Sequence, residues 1–178
     1  MTDLALSHRL TASVASVLAD ALQQDLAVSP FIVASEPGLA ASSNLARLAD
    51  LYQLDFISVH ADLVEDPDCY LAISGAFDHT LSTGKPALFL VEFEDDRHHA
   101  TAKMLRKIAD GARREVIIGI KCPPQMIGKA YATIEASLGV HAALVPTTIL
   151  SARPAEQSIP IIGTAMLDGS RIMERYLE

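Results

Sequence analysis

The chain has 178 residues, half of them apolar, and 14 Lys and Arg against 22 Asp and Glu give it a formal net charge of −8. That length suits one domain with one continuous core, and so much apolar content excludes a chain held unfolded by its own polarity. An acidic surface repels phosphates, which sets nucleic acid aside as a general partner.

From Asp3 to Gln24, apolar residues recur at Leu6, Leu10, Val14, Val17, Leu18 and Leu22, so an amphipathic helix is predicted. Pro30 stops the helical pattern, and Phe31–Ala34 reads as a short buried strand. The bend Ser35-Glu36-Pro37-Gly38 follows, and Ser42-Ser43-Asn44 offers caps for a helix carrying Leu45, Leu48, Ala49 and Tyr52. Asp55–His60 alternates as a strand. Asp66-Pro67 opens a helix running to about Leu81, Thr83–Pro86 turns, and Ala87–Phe93 is the strongest strand signal in the chain.

A helix over 97–112, led in by Asp95 and Asp96, precedes the apolar strand Val116–Ile120. Cys122-Pro123-Pro124 breaks the pattern before a helix over Ile127–Leu138. His141–Val145 and Ile159–Ile162 read as further strands, and a last helix starts near Gly169. The basic residues Lys103, Arg106, Lys107, Arg113 and Arg114 read as the solvated face of a helix.

Strands alternating with helices predict an α/β fold, a three-layer sandwich around a mostly parallel sheet with its ligand crevice at the carboxyl ends of the strands. The chain divides into an N-terminal helix (1–30), a core (31–146) and a C-terminal extension (147–178), within which Thr147–Ser158 is linker-like. Cys69 and Cys122 lie far apart without CxxC spacing, which gives neither a disulfide framework nor a zinc site. No apolar run approaches the roughly 18 residues of a membrane span, and the opening MTDLALSHRL lacks a signal pattern. A cytoplasmic protein with no membrane association is expected.

A phosphate-binding loop needs glycines that let backbone N–H groups wrap an anion, a lysine for the β- and γ-phosphates and a Ser or Thr for Mg²⁺. Here FIVA leads into Ser35-Glu36-Pro37-Gly38-Leu39-Ala40-Ala41-Ser42 and then a helix. Overlaying G-x-x-x-x-G-K-[ST] puts Ser35 and Ala40 at the glycines, Ala41 at the lysine and Ser42 at the hydroxyl. The context and the hydroxyl match; the outer glycines and the lysine do not. Loss of that lysine removes a charge-assisted contact on the order of 1.5–3 kcal/mol.

Over residues 5–145 the order of elements resembles the AAA+ ATPases, members of the P-loop NTPase class. The resemblance places Ser35, Gly38, Ser42 and Ser43 on the phosphates and Glu92 at the water-activating glutamate of the strand ALFLVEF. Val91 then stands where the family has its Mg²⁺-binding Asp, and Lys121 or Cys122 stands at the polar sensor position of VIIGIKC. Too little chain follows Val145 for the family's helical lid. These departures imply weakened or absent hydrolysis, with no resident cofactor in a scaffold, and ATP with Mg²⁺ if binding survives. The family's side-by-side packing implies a protein partner or self-association.

The leading expectation is a non-hydrolysing, AAA+-like scaffold or assembly component. The first alternative is a nucleotide-binding or hydrolysing enzyme with Ser42 and Ser43 on phosphate, Glu92 on water and Lys85 or Lys121 restoring the missing charge. The second is a small-molecule binding domain of flavodoxin or Rossmann type, without a G-x-G-x-x-G turn. GKPALFLVEFE also resembles the closing strand of thiamine-diphosphate domains, whose cofactor motif the sequence lacks.

Among the other polar groups, Glu92, Glu94, Asp95, Asp96, His98 and His99 have metal-ligand chemistry, but they read better as a strand end and helix cap. Asp62, Glu65, Asp66 and Asp68 read as a helix start. His60, at the end of a strand, could face a ligand cleft, but it reads better as a satisfied, partly buried histidine.

Overall fold

The structure, a computed structural model, describes residues 3–24, 26–93, 98–112 and 115–152. Five strands form one all-parallel sheet: β1 (Val28–Ser35), β2 (Asp55–His60), β3 (Ala87–Glu92), β4 (Val116–Cys122) and β5 (Thr147–Leu150). Their order across the sheet is β2-β3-β4-β1-β5. Helix α1 (Asp3–Leu22) precedes β1, and α2 (Ala41–Leu51), α3 (Pro67–Thr83), α4 (His98–Gly111) and α5 (Ile127–Leu138) make the four crossovers.

The order dictates the layers. From β1 the chain travels outward past β4 and β3 to β2, whereas every later connection travels the other way. Crossovers of one hand then require α2 on one face and α3, α4 and α5 on the other. The cores divide in that way. Leu10, Val14 and Leu18 of α1 and Leu45 and Leu48 of α2 pack with Phe31, Val33, Leu88, Leu90 and Ile117. Ile73 and Phe77 of α3, Met104, Leu105 and Ile108 of α4, and Ile134 of α5 pack with Ile32, Phe89, Val91 and Ile118. The central strands alternate between two buried faces, which explains their near-continuous apolar runs.

Asp66 caps α3 as its sequence signals, its carboxylate accepting the Asp68 N–H at 2.9 Å, and Gly84 ends that helix with φ of 72°. Gly119 in β4 sits opposite Phe31, and a Cβ there would lie 2.6 Å from the Phe31 ring. The missing side chain is what lets that ring lie flat in the core.

Three expectations are corrected. The fifth strand is Thr147–Leu150, inside the stretch read as a linker, while Ala142–Leu144 within the expected strand His141–Val145 forms a 3-10 turn. Polar TTIL escapes a hydrophobicity reading because an edge strand need not be apolar throughout. Pro30 lies within β1 and does not precede it. Even-numbered β1 residues face the β5 side, where pairing begins only at Ile32, so the missing N–H of Pro30 breaks no ladder bond. Finally, Ser42, Ser43 and Asn44 lie inside α2, whose N-cap is Ala40 with no side-chain cap. Glu94, Asp95, Asp96, Arg113, Arg114, the expected strand Ile159–Ile162 and the helix from Gly169 lie outside the described residues.

Candidate functional site

Three adjacent strands end at one level, and their registers pair His60 with Glu92 and Glu92 with Lys121. Side chains paired across a sheet share a face. Leu88 and Leu90 of β3 and Ile117 of β4 belong to the core beneath α1 and α2, so two-residue alternation puts Glu92 and Lys121 on that same face. There they meet the first turn of α2. The Lys121 ammonium lies 3.0 Å from Glu92 Oε1 and donates to Ser42 Oγ at 3.1 Å, while Ser42 donates to Glu92 Oε1 at 3.4 Å. His60 Nδ1 stands 3.9 Å from Glu92 Oε2.

The row sits at the carboxyl ends of the strands, where a parallel sheet binds ligands. β1 leads into α2 on one face and its neighbour β4 leads to α5 on the other, so their loops part at this point. The Lys121 and Glu92 side chains are 30% and 23% exposed, partly shielded yet open to the crevice, whereas that of His60 is 54% exposed. Lys121 and Glu92 neutralise each other, which leaves little net charge for a phosphate chain. Below the row, burial pushes the Cys122 thiol up to about 12, so it stays protonated and inert.

The bend after β1 is a tight turn. The Leu39 N–H donates to Glu36 O at 3.4 Å across Pro37 and Gly38, and Gly38 has φ of 82°. Pro followed by a left-handed Gly is the pattern of a type II turn. The Glu36 N–H bonds Leu150 O at 3.1 Å and the Ala41 N–H bonds Leu39 O at 2.8 Å. Three amides of the bend are therefore spent on the protein's own carbonyls. The Glu36 carboxylate accepts from Ser151 Oγ at 3.0 Å and the Ala152 N–H at 3.1 Å, so it ties the bend to the chain leaving β5.

Of the residues singled out from sequence, Ser42, Glu92 and Lys121 come together. Ser35 is buried at the end of β1, its hydroxyl donating to Glu36 O at 3.1 Å, and Gly38 lies at the turn. Ser43 is exposed on α2 beside Ser42. Lys85 is exposed just before β3, at the amino end of the strands, and cannot restore charge to a crevice at their carboxyl ends. His60, read as a satisfied histidine, is instead an exposed neighbour of Glu92. Its signal was the matched ending of DFISVH and ALFLVE, which becomes visible once the two strands are known to pair.

Among the described residues, no group of three His, Cys, Asp or Glu could hold a metal ion. No helix among them is long and apolar enough to cross a membrane. A groove of about 620 Å³ lies away from the row, along β5, and among the described residues Asp20 is the one charged residue lining it. No model of a known protein family matches the chain, and a search of curated proteins returns no match.

Proposed function

We propose that this domain is an AAA+-like P-loop domain with degenerate phosphate-binding elements, acting as a non-hydrolysing scaffold or assembly component. The observation that carries the reading is the Lys121–Glu92 ion pair closed over Ser42 at 3.0 and 3.1 Å. It sits where a P-loop domain would hold triphosphate and metal, and its charges are committed to each other. A nucleotide entering here would first have to break that pair. It would also find Glu36, Leu39 and Ala41 with their amides already bonded.

The strand order supports the P-loop comparison. In the Rossmann and flavodoxin sheets the first strand pairs with the second. Here β1 lies between β4 and β5 and β2 lies at the far edge, an order that neither of those sheets has. Large apolar side chains are exposed at two separate places, Leu51 and Tyr52 (78% and 43%) where α2 ends and Tyr70 and Leu71 (56% and 65%) at the start of α3. On opposite faces of the sheet, they form no single patch and mark no one partner surface.

One observation favours a second reading, that of a nucleotide-binding enzyme: Lys121 delivers an ammonium to the hydroxyl at the start of α2, from β4 instead of from the motif's lysine position, which Ala41 occupies. Titration calorimetry with millimolar ATP and Mg²⁺, paired with light scattering, separates the two. The scaffold reading expects no saturable heat, and a mass above that of one chain that ATP leaves unchanged. Saturable heat that Lys121→Ala abolishes, or a strict monomer that hydrolyses ATP, would overturn it.

A further inference from the structure

The row at the carboxyl ends of the strands holds two opposite charges in one place. Lys121 Nζ and Glu92 Oε1 lie 3.0 Å apart, and each reaches Ser42 Oγ, at 3.1 and 3.4 Å. Their side chains are 30% and 23% exposed, so neither charge is sunk in the core. A pair so placed adds little net stability, because its attraction is offset by desolvation and by holding two long side chains still. Its position is more informative. The pair joins β3, β4 and the first turn of α2 where the loops after β1 and β4 part, and an open parallel sheet takes its ligand at such a point.

Each charge has unused groups of its own kind beside it. On the Lys121 side, the Ser42 and Ser43 N–H groups meet no acceptor among the described residues. With an ammonium next to them, amides at a helix start suit a carboxylate. On the Glu92 side, Oε2 faces His60 Nδ1 at 3.9 Å, too far for a direct hydrogen bond. A carboxylate oxygen accepts, and so does an imidazole nitrogen that carries no proton, so a donor placed between them satisfies both. Donors therefore gather at one end of the pair and acceptors at the other.

We propose that this crevice binds a small zwitterion, a molecule with an ammonium and a carboxylate a few bonds apart, as in an α-amino acid. Its carboxylate takes Lys121 and the Ser42 and Ser43 amides. Its ammonium takes Glu92 Oε2 and His60 Nδ1. The Lys121–Glu92 pair opens by a swing of the flexible lysine stem, and two ion pairs replace one.

The charge balance sets the specificity. A lone anion gains Lys121 only by leaving the partly shielded Glu92 carboxylate unpaired, and a lone cation strands Lys121 in the same way. A zwitterion strands neither. The inference rests on the proposed reading in one respect, that the closed pair turns nucleotide away, and it adds the class of ligand for which the pair opens.

Amide shifts of the full chain, followed by nitrogen–proton NMR, test it with glycine and alanine as probes and with acetate and methylammonium as single-charge controls. Either amino acid is expected to shift the Ser42, Ser43, Glu92 and Lys121 amides saturably, with half-saturation on the order of millimolar. The two controls are expected to bind at least about 10-fold more weakly, as are both amino acids in the Lys121→Met and Glu92→Gln variants. No saturable shift in the unmutated chain at up to about 100 mM of either amino acid would overturn the proposal. Acetate moving the same amides as strongly would overturn it in favour of a plain anion site, and so would binding that both substitutions leave unchanged. ATP titrated separately decides whether nucleotide is turned away, whereas the amino acids alone decide the ligand class.

Discussion

Lys121 decides the character of the crevice, because it is the cation that Glu92 and Ser42 share. Lys121→Met leaves a carboxylate that is only 23% exposed with the Ser42 hydroxyl at 3.4 Å as its nearest donor. The expected cost is about 1–2 kcal/mol, between that of an exposed pair and that of a buried one. Glu92→Gln in the same background should recover part of it, so a urea-denaturation cycle is expected to give a coupling of about 1 kcal/mol. A coupling near zero would reduce the row to a chance surface contact. Ser42, Glu92 and Lys121 were legible in the sequence because each ends or begins an element at a motif position. His60 was legible as a strand-end histidine that could face a cleft, but its closeness to Glu92 was not, because that depends on strand pairing.

β4 illustrates how one element supports the crevice. Its alternation sends Ile118 and Ile120 into one core, and sends Ile117, Gly119 and Lys121 to the opposite face. Gly119 makes room for Phe31, whose ring a Cβ would meet at 2.6 Å. Since both are buried centrally, Gly119→Ala is expected to cost about 1–3 kcal/mol through overpacking. Adding Phe31→Leu should return part of that loss, measured as urea midpoints. An unchanged midpoint for Gly119→Ala alone would show that the ring moves freely. Local patterning located most elements closely: β2 spans Asp55–His60 and α5 spans Ile127–Leu138, as predicted. It failed at β5, whose two threonines carry no apolar signal and whose strand state comes from pairing with β1.

The response of the whole fold to alkali follows from its buried acids. Burial pushes Cys122 from 9.0 to about 12, burial raises Cys69, and burial raises Tyr131 against a hydrogen bond with Thr147 that lowers it. In each case the folded state prefers the protonated form. Their contribution is therefore complete below the unfolded pKa values and is lost as pH rises through the folded ones. Stability is expected to fall between about pH 9 and 12, with Cys122 accounting for roughly 4 kcal/mol at the upper end. Chemical denaturation across that range should show a shallower decline for Cys122→Ala. An equal slope in both proteins would mean that the thiol ionises freely in the fold.

Periodicity and punctuation are local properties, and they alone determined that this chain alternates strands with helices and buries its strands on both faces. They also placed a hydroxyl at the start of α2 and a carboxylate at the end of β3. Which strands lie side by side is not a local property, since a strand's own residues say which face is buried and not which neighbour it meets. The order β2-β3-β4-β1-β5 belongs to the tertiary structure, and with it come the two helix layers and the meeting of His60, Glu92, Lys121 and Ser42. The same order left β5 at an edge, beside a groove that Asp20, Gln24 and Tyr131 help to line.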